Sequence, residues 1–150
     1  NTRVNFRFNK EKFLASRKEV TDQAIRIVQT DRPLFRAMQG SVIPASFWDT
    51  EDDYFNHGLG YSLLYNDQLA AMAFSSFWFD AQFELGIETV PAFRGMGLAE
   101  IVCAALLDYC IQNKLEPIWA CRLENTGSYK LALKLGFEVA ATIPYYRLSN

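Results

Sequence analysis

The sequence predicts an α/β domain whose sheet is mostly antiparallel. Two turn signals, Asn66-Asp67 and Asp80-Ala81, separate apolar runs too closely for any connection but that of antiparallel neighbours. Downstream, a strand-like run leads through a glycine-bearing loop into a long apolar stretch at helical spacing, and a short apolar run follows it. The third observation is size. A chain of 150 residues, half of them hydrophobic and 21% charged, is one domain of residues 1–150 rather than a tail or an array. At this length roughly 68–70% of the unfolded surface is buried, enough for a core and a ligand cleft together.

Val4, Phe6 and Phe8 alternate with Asn5 and Arg7, the period of a half-buried strand. Asn9 then caps a polar-rich helical stretch. Glu19–Gln39 reads as one or two further helices, with Pro33 tolerated only near a helix start. Thr50 followed by Asp53 is a capping signal for a short helix through Asn56, which Gly58 ends. Gly60–Tyr65, Gln68–Phe79 and Gln82–Val90 form the meander. Leu98–Asn113 carries Leu98, Ile101, Val102, Ala105 and Tyr109 on one stripe, widened by Cys103, Ala104, Leu107 and Ile111, so this helix is expected to be mostly buried. Pro117–Cys121 is short and apolar, hence a central strand. Ser128, Leu131, Ala132 and Leu135 form a helical face that ends at Gly136, and Phe137–Leu148 reads as one or two closing strands around Pro144.

Fifteen basic against 17 acidic residues give a net charge of −2, which argues against sequence-independent nucleic-acid binding. Cys103, Cys110 and Cys121 with the single His57 make neither a disulfide framework nor a zinc site, and no metal is expected. Reduced thiols fit a cytoplasmic protein. Apolar runs such as Ile101–Leu107 fall far short of the roughly 20 residues of a membrane span, and Asn1–Lys10 lacks a signal-peptide pattern, so no membrane partner is expected. The absent initiator Met leaves a trimmed chain open.

The loop Arg94-Gly95-Met96-Gly97-Leu98-Ala99 enters the buried helix. Unpaired N–H groups and a partial positive charge at such a terminus attract a diphosphate, and glycines let it approach the backbone. A dinucleotide fingerprint would need glycine where Glu100 stands. This loop resembles the acyl-CoA loop of the GCN5-related N-acetyltransferase (GNAT) family. Asn125-x-x-Ser128 with Leu135-Gly136-Phe137 resembles that family's second signature, and the likeness extends over a β-α-α-β-β-β-α-β-α-β succession. The segments Ile87-Glu88-Thr89 and Pro117-Ile118-Trp119-Ala120-Cys121 look most like a bacterial subgroup of uncharacterised or resistance-type acetyltransferases.

The resemblance implies the GNAT fold, a splayed sheet flanked by helices, and direct transfer of acetyl from acetyl-CoA, the co-substrate, to a primary amine of a small molecule or protein. It implies that the backbone at Thr89 and Val90 pairs with the pantetheine arm, that Arg94, Gly95, Met96, Gly97, Leu98 and Ala99 hold the pyrophosphate, and that Asn125, with Ser128 nearby, holds the cofactor arm. The strands ending at Val90 and Cys121 would part to receive the thioester. Where many relatives carry a Tyr that protonates the leaving thiolate, this chain has Ala132. Tyr129 one turn earlier is the candidate substitute, and Ser128 the other nearby hydroxyl.

A lysine-like acceptor, of pKa about 10.4, needs a base at neutral pH. Glu84 and then Glu88, on one side of the strand bordering the cleft, are the candidates, and a backbone N–H near Thr89 or Val90 is the oxyanion donor. Phe77-Trp78-Phe79, Trp48 and the acidic run Asp49, Glu51, Asp52 and Asp53 suggest a part-anionic acceptor pocket, or simply core and a solvated helix start. Cys121 is expected to be a buried thiol. A homodimer is compatible with all of this. Two other readings stay open: a catalytically silent acyl-CoA-binding sensor, motivated by Ala132, and a module that binds another nucleotide through the same loop.

Overall fold

Among the described residues seven strands form one sheet in the order β2-β3-β4-β5-β6-β1-β7, and its departures from regular pairing frame the clefts. The computed structural model describes residues 2–144. In chain order the elements are β1 (Thr2–Phe8), α1 (Lys10–Ser16), β2 (Ile25–Gln29), α2 (Arg32–Ala37), α3 (Glu51–His57), β3 (Gly60–Tyr65), β4 (Gln68–Phe79), β5 (Gln82–Thr89), α4 (Leu98–Gln112), β6 (Glu116–Arg122), α5 (Thr126–Lys134) and β7 (Phe137–Pro144). Single 3-10 turns stand at Pro44–Ser46 and Pro91–Phe93. The part of the closing strand region expected beyond Pro144 lies outside the described residues.

The expected meander is present with its turns. Asn66, Asp67 and Asp80 take positive φ angles of 48°, 64° and 54°, which Asn and Asp tolerate better than other residues with a Cβ. The caps expected at Asn9 and Thr50 are present, Asn9 accepting from Lys12 N at 3.1 Å and Thr50 from Asp53 N at 3.0 Å; Pro33 stands in the first turn of α2, whose cap, Asp31, the sequence reading did not name. One expectation is corrected. The first half of Glu19–Gln39 is not helical: Ile25–Gln29 is a strand paired with β3 from Ile25↔Tyr65 to Gln29↔Tyr61. Ile25, Ile27 and Val28 are β-branched, and an open sheet edge offers them a ladder that an isolated helix of this length cannot match.

On one face, α4 lies across β3, β4 and β5, while α1 and α5 cover the other half of the sheet. Leu98, Val102, Cys103, Leu106, Leu107 and Cys110 of α4 are at most 2% exposed, and each large aliphatic side chain so buried contributes about 1.5–3 kcal/mol. The opposite face has a smaller core of Met38, Met72 and Phe74 beneath α2 and the segment that follows it. Beyond that cover, the same face of β6 and β1 carries Ile118, Ala120, Arg122, Arg3, Asn5 and Arg7, all exposed or half-buried.

The sheet opens at its one parallel junction. β5 and β6 pair only from Gln82↔Glu116 to Glu84↔Ile118. Past those positions Leu85–Thr89 and Trp119–Arg122 face each other with no ladder between them. A bulge sits on the far side of β5, in β4. The β4·β5 register jumps from Ser75↔Leu85 to Phe77↔Glu84, so Ser76 is an extra residue, and its Oγ donates to the Glu84 carbonyl at 3.2 Å. A bulge bends its strand and increases the local twist, and this one stands where β5 leaves β6.

Candidate active site

Two clefts meet at the open junction. The first, of about 480 Å³, is built mostly from backbone and helix ends: Thr89 of β5, the Arg94–Ala99 loop, and the first turn of α5 from Asn125. Gly95 and Gly97 have φ of +79° and +76°, and a Cβ on either would meet nothing within 4 Å, so the loop's upper side is open. The four other α-helices begin with a capping side chain, whereas α4 begins at Gly97 with none. Its first N–H groups are therefore left for an outside acceptor. Arg94 reaches back so that its Nε donates to the Thr89 carbonyl at 3.3 Å.

The backbone of β5 supplies the cleft's edge. Val90 N donates to Ala70 O at 2.8 Å, toward β4. Alternation along an antiparallel ladder turns the polar groups of Thr89 and Ile87 the other way, into the gap. Of the pair Thr89 and Val90, then, only the Thr89 N–H is free to serve a ligand arm or an oxyanion. Ile87, absent from that expectation, offers a second N–H.

Asn125 Oδ1 accepts from Ser128 N at 3.1 Å, a helix cap that accounts for its oxygen and not its amide nitrogen. Met96, 45% exposed, turns away from this cleft and lines a neighbouring crevice beside Lys18 and Val20. Lys130 and Lys134, one turn apart on α5, line the main cleft. The sequence reading missed them, although their spacing after Asn125 puts them on one helix face.

The second cleft, of about 360 Å³, opens on the sheet face away from α4 and includes Arg3, Glu84, Arg122 and Cys121. Ile87, Asn125 and Ser128 line both clefts and so mark where they join. Trp119 Nε1 donates to Ser128 Oγ at 3.1 Å. With that acceptor position filled, the hydroxyl keeps its own proton to give.

The two candidate carboxylates differ in freedom. Glu84 lines the second cleft, its Oε1 3.8 Å from Arg3 Nη2 across part-exposed surroundings. Glu88 is held: its Oε2 accepts from Val42 N at 3.0 Å, its Oε1 lies 3.5 Å from Arg94, and it packs where a Cβ on Gly40 would collide with it at 2.7 Å. It fastens the segment before the first 3-10 turn to the Arg94–Ala99 loop, which leaves it little freedom to exchange protons.

Two further expectations are corrected. Tyr129 packs edge-on against Phe6 with ring centroids 5.4 Å apart and is not among the residues of either cleft, because the stripe on which it lies faces β1. The acceptor pocket drawn from the acidic run and the aromatics does not assemble. Glu51 and Asp52 are ion-paired to Arg32, and Glu51 also to Arg36. Trp48 Nε1 donates to Ser75 O, and Trp78 packs on Phe83 and Tyr109 at the far end of the sheet. Burial pushes the Cys121 thiol up, against smaller opposing effects of Ser128 and Arg3, so it stays protonated. Among the described residues, no group of three or more His, Cys, Asp or Glu gathers to hold a metal, and no helix is long and apolar enough to cross a membrane.

Comparison with known proteins agrees with the geometry. The family model for GNAT acetyltransferase matches residues 2–146. The uncharacterized N-acetyltransferase YdfB of Bacillus subtilis (strain 168) is 29% identical over 100 residues, 67% of this chain and 38% of that protein. A GCN5-related N-acetyltransferase-like protein from Streptococcus suis 89/1591 has a TM-score of 0.79 at 24% identity, over 95% of this chain and 59% of that one. AAC(6')-Iy, solved in complex with a bisubstrate analog, CoA-S-monomethyl-acetylneamine, has a TM-score of 0.62 at 20% identity, over 84% of this chain and 99% of that one. The chain thus spans about two fifths of the curated relative and about three fifths of the Streptococcus protein.

Proposed function

The chain belongs to the GNAT acetyltransferase family, has the GNAT fold, and from that premise we propose that it transfers an acetyl group from acetyl-CoA directly to a primary amine. The observation that carries the reading is the meeting of two clefts at Ile87, Asn125 and Ser128, inside the gap between β5 and β6. One cleft suits a diphosphate-bearing thioester and the other suits its acceptor.

The residues present fit acetyl-CoA. Open space over Gly95 and Gly97, the uncapped start of α4, and the cations Arg94, Lys130 and Lys134 suit a pyrophosphate. Leu98 and Ala99 contribute N–H groups at that start, and Asn125 has an amide nitrogen to spare. The gap-facing backbone of Thr89 and Ile87 suits the amide-bearing arm, as an added strand would. Val90 and Met96 contribute only the local backbone path. Acetyl-CoA, when bound, supplies the acetyl thioester.

The Ile87 N–H, where the clefts join, is the donor to the charge that develops on the acetyl oxygen, a role worth about 10²–10³ in rate where the geometry is good. Ser128 Oγ, its acceptor side filled by Trp119, gives its proton to the departing sulfur. Glu84 takes the proton lost by the attacking amine, directly or through one water. Glu88 positions Arg94 and Val42 rather than exchanging protons.

A second reading has one specific observation in its favour. Ala132 is fully buried and Tyr129 packs on Phe6, so no tyrosine of the described α5 faces the gap, as suits a silent acyl-CoA-binding sensor. Release of free CoA from acetyl-CoA, followed across a panel of primary amines beside a calorimetric titration with CoA, separates the two. Amine-dependent release supports the transferase. Tight binding with no release for any amine supports the sensor, and ATP or NAD binding without CoA binding removes both.

A further inference from the structure

We infer that the acceptor carries a carboxylate beside its amine, held by Arg3 and Arg122; this rests on the transferase reading above and names the substrate class of the same site.

Arg3 and Arg122 stand directly opposite each other in the β1·β6 ladder, on the face away from α4. Like charges placed so on a sheet repel, and each such pair costs stability that an uncharged residue would not. The neighbourhood does little to offset it. Among the described residues Glu84 is the one carboxylate lining this cleft, it approaches Arg3 alone, and at 3.8 Å with both groups part-exposed the contact is weak. Arg122 makes no ion pair among the described residues. Among the described residues, two guanidinium groups facing one loosely held carboxylate leave one positive charge over, at the exposed rim of the cleft that both arginines line.

The layout sets how the anion and the amine are spaced. Glu84 lies at the closed end of the gap, opposite Ile118, whereas Arg122 lies four residues further along β6, roughly 13 Å by strand rise. Arg3 bridges the two ends, opposite Arg122 in register and reaching Glu84 with its side chain. An ammonium approaching Glu84 would displace Arg3 toward Arg122, and the two planar forks then match one carboxylate by parallel N–H···O bonds. Polycationic amines meet repulsion from the same pair. The acids that could have attracted such amines, Glu51 and Asp52, are bound to Arg32 and Arg36.

The test uses β-alanine, γ-aminobutyrate and glycylglycine, each beside its carboxamide. Binding is read by NMR from the Arg3 and Arg122 Nε–H resonances, with CoA bound and without it, and acetyl transfer is measured for each pair. At least one carboxylate should bind about tenfold tighter than its carboxamide, the preference should shrink with added salt, and it should be largely lost in Arg122→Gln. Arg122→Lys, which keeps the charge without the fork, should retain part of it and guards against misfolding of the first variant. Equal affinities within every pair, no binding of any carboxylate, or a preference that survives in both Arg3→Gln and Arg122→Gln overturns the inference. Acetyl transfer to both members of each pair at equal rates sinks this inference and leaves the transferase standing. Failure to bind CoA sinks the transferase, while the titrations without CoA still read the arginine pair.

Discussion

The two clefts that meet between β5 and β6 are built in opposite ways. The cofactor-side cleft is made of main chain and helix starts, with most of its parts contiguous from Ile87 to Ala99. The acceptor-side cleft is made of side chains brought from β1, β5 and β6, and its charges belong to residues far apart in the chain. Backbone donors are independent of side-chain identity and suit an invariant phosphate-bearing ligand; side-chain charges can be exchanged one at a time and suit a choice among amines. Substitutions in the first cleft should therefore alter cofactor affinity, and substitutions in the second should alter turnover and selectivity.

Glu84→Gln is the largest expected break between the two. Losing a general base should lower the acetyl-transfer rate by about 10²-fold or more at neutral pH. CoA affinity by calorimetry should not change. An unaltered rate, or an unaltered pH–rate profile, removes Glu84 from the role.

Gly97→Val is the reciprocal change. A branched side chain at φ +76° projects into the open space over the loop, so CoA affinity should fall about tenfold to a hundredfold, through one or two lost N–H contacts. The fold should lose only about 1–2 kcal/mol of local strain, read as a modest drop in Tm. Gly136→Ala supplies the contrast, because at φ +93° its Cβ would meet Phe13 N at 2.7 Å and Asn9 O at 3.0 Å. Its loss should be in stability, with CoA affinity of the folded protein retained.

Ser128 lines both clefts and should blur the distinction. Ser128→Ala removes the proton given to the sulfur and leaves Trp119 Nε1 without its acceptor. The rate with acetyl-CoA should fall about tenfold. With a thioester of a more acidic thiol, which needs no proton on leaving, the loss should shrink; an equal loss with both thioesters points to misplacement of Trp119 instead.

Glu51→Gln should have the smallest effect and leave acetyl transfer as it is. The hydrogen bonds of Arg36 and then Arg32 bring the Glu51 carboxyl from 4.5 down to about 2, so its contribution to folding is fully present above the unfolded value near 4.5 and is lost as pH falls through about 2. Urea midpoints between those pH values should fall less steeply in the variant than in the parent. At an exposed position the difference is small.

The same contrast between the clefts decides how much of each is legible in the sequence. The cofactor side was legible because its parts lie next to one another: Arg94 to Ala99 announce a helix entry, and Asn125 and Gly136 announce the ends of α5. The meander was legible from Asn66-Asp67 and Asp80-Ala81, where Asn66, Asp67 and Asp80 suit positive φ. The acceptor side was not, because nothing in the local sequence of Arg3 or Arg122 says that they face each other. That follows from the β1·β6 register alone. The acidic run near Trp48 misled for the same reason, since its partners Arg32 and Arg36 are supplied by the packing of α2 against α3. Tyr129 lies at a spacing that suits the cleft, but the facing of α5, which turns it onto Phe6, is set by tertiary packing and not by the local sequence. β2 was missed because five residues give too short a pattern to tell one period from the other.

In the proposed complex acetyl-CoA lies in the gap, paired to the exposed edge of β5 and anchored at the start of α4. A residue-resolved NMR titration with CoA tests it most directly. The amides of Ile87, Thr89 and Gly95–Ala99 should shift together along one saturating curve, while that of Val90, bonded to Ala70, gains no new partner. CoA binding that leaves the Gly95–Ala99 amides unmoved would contradict it.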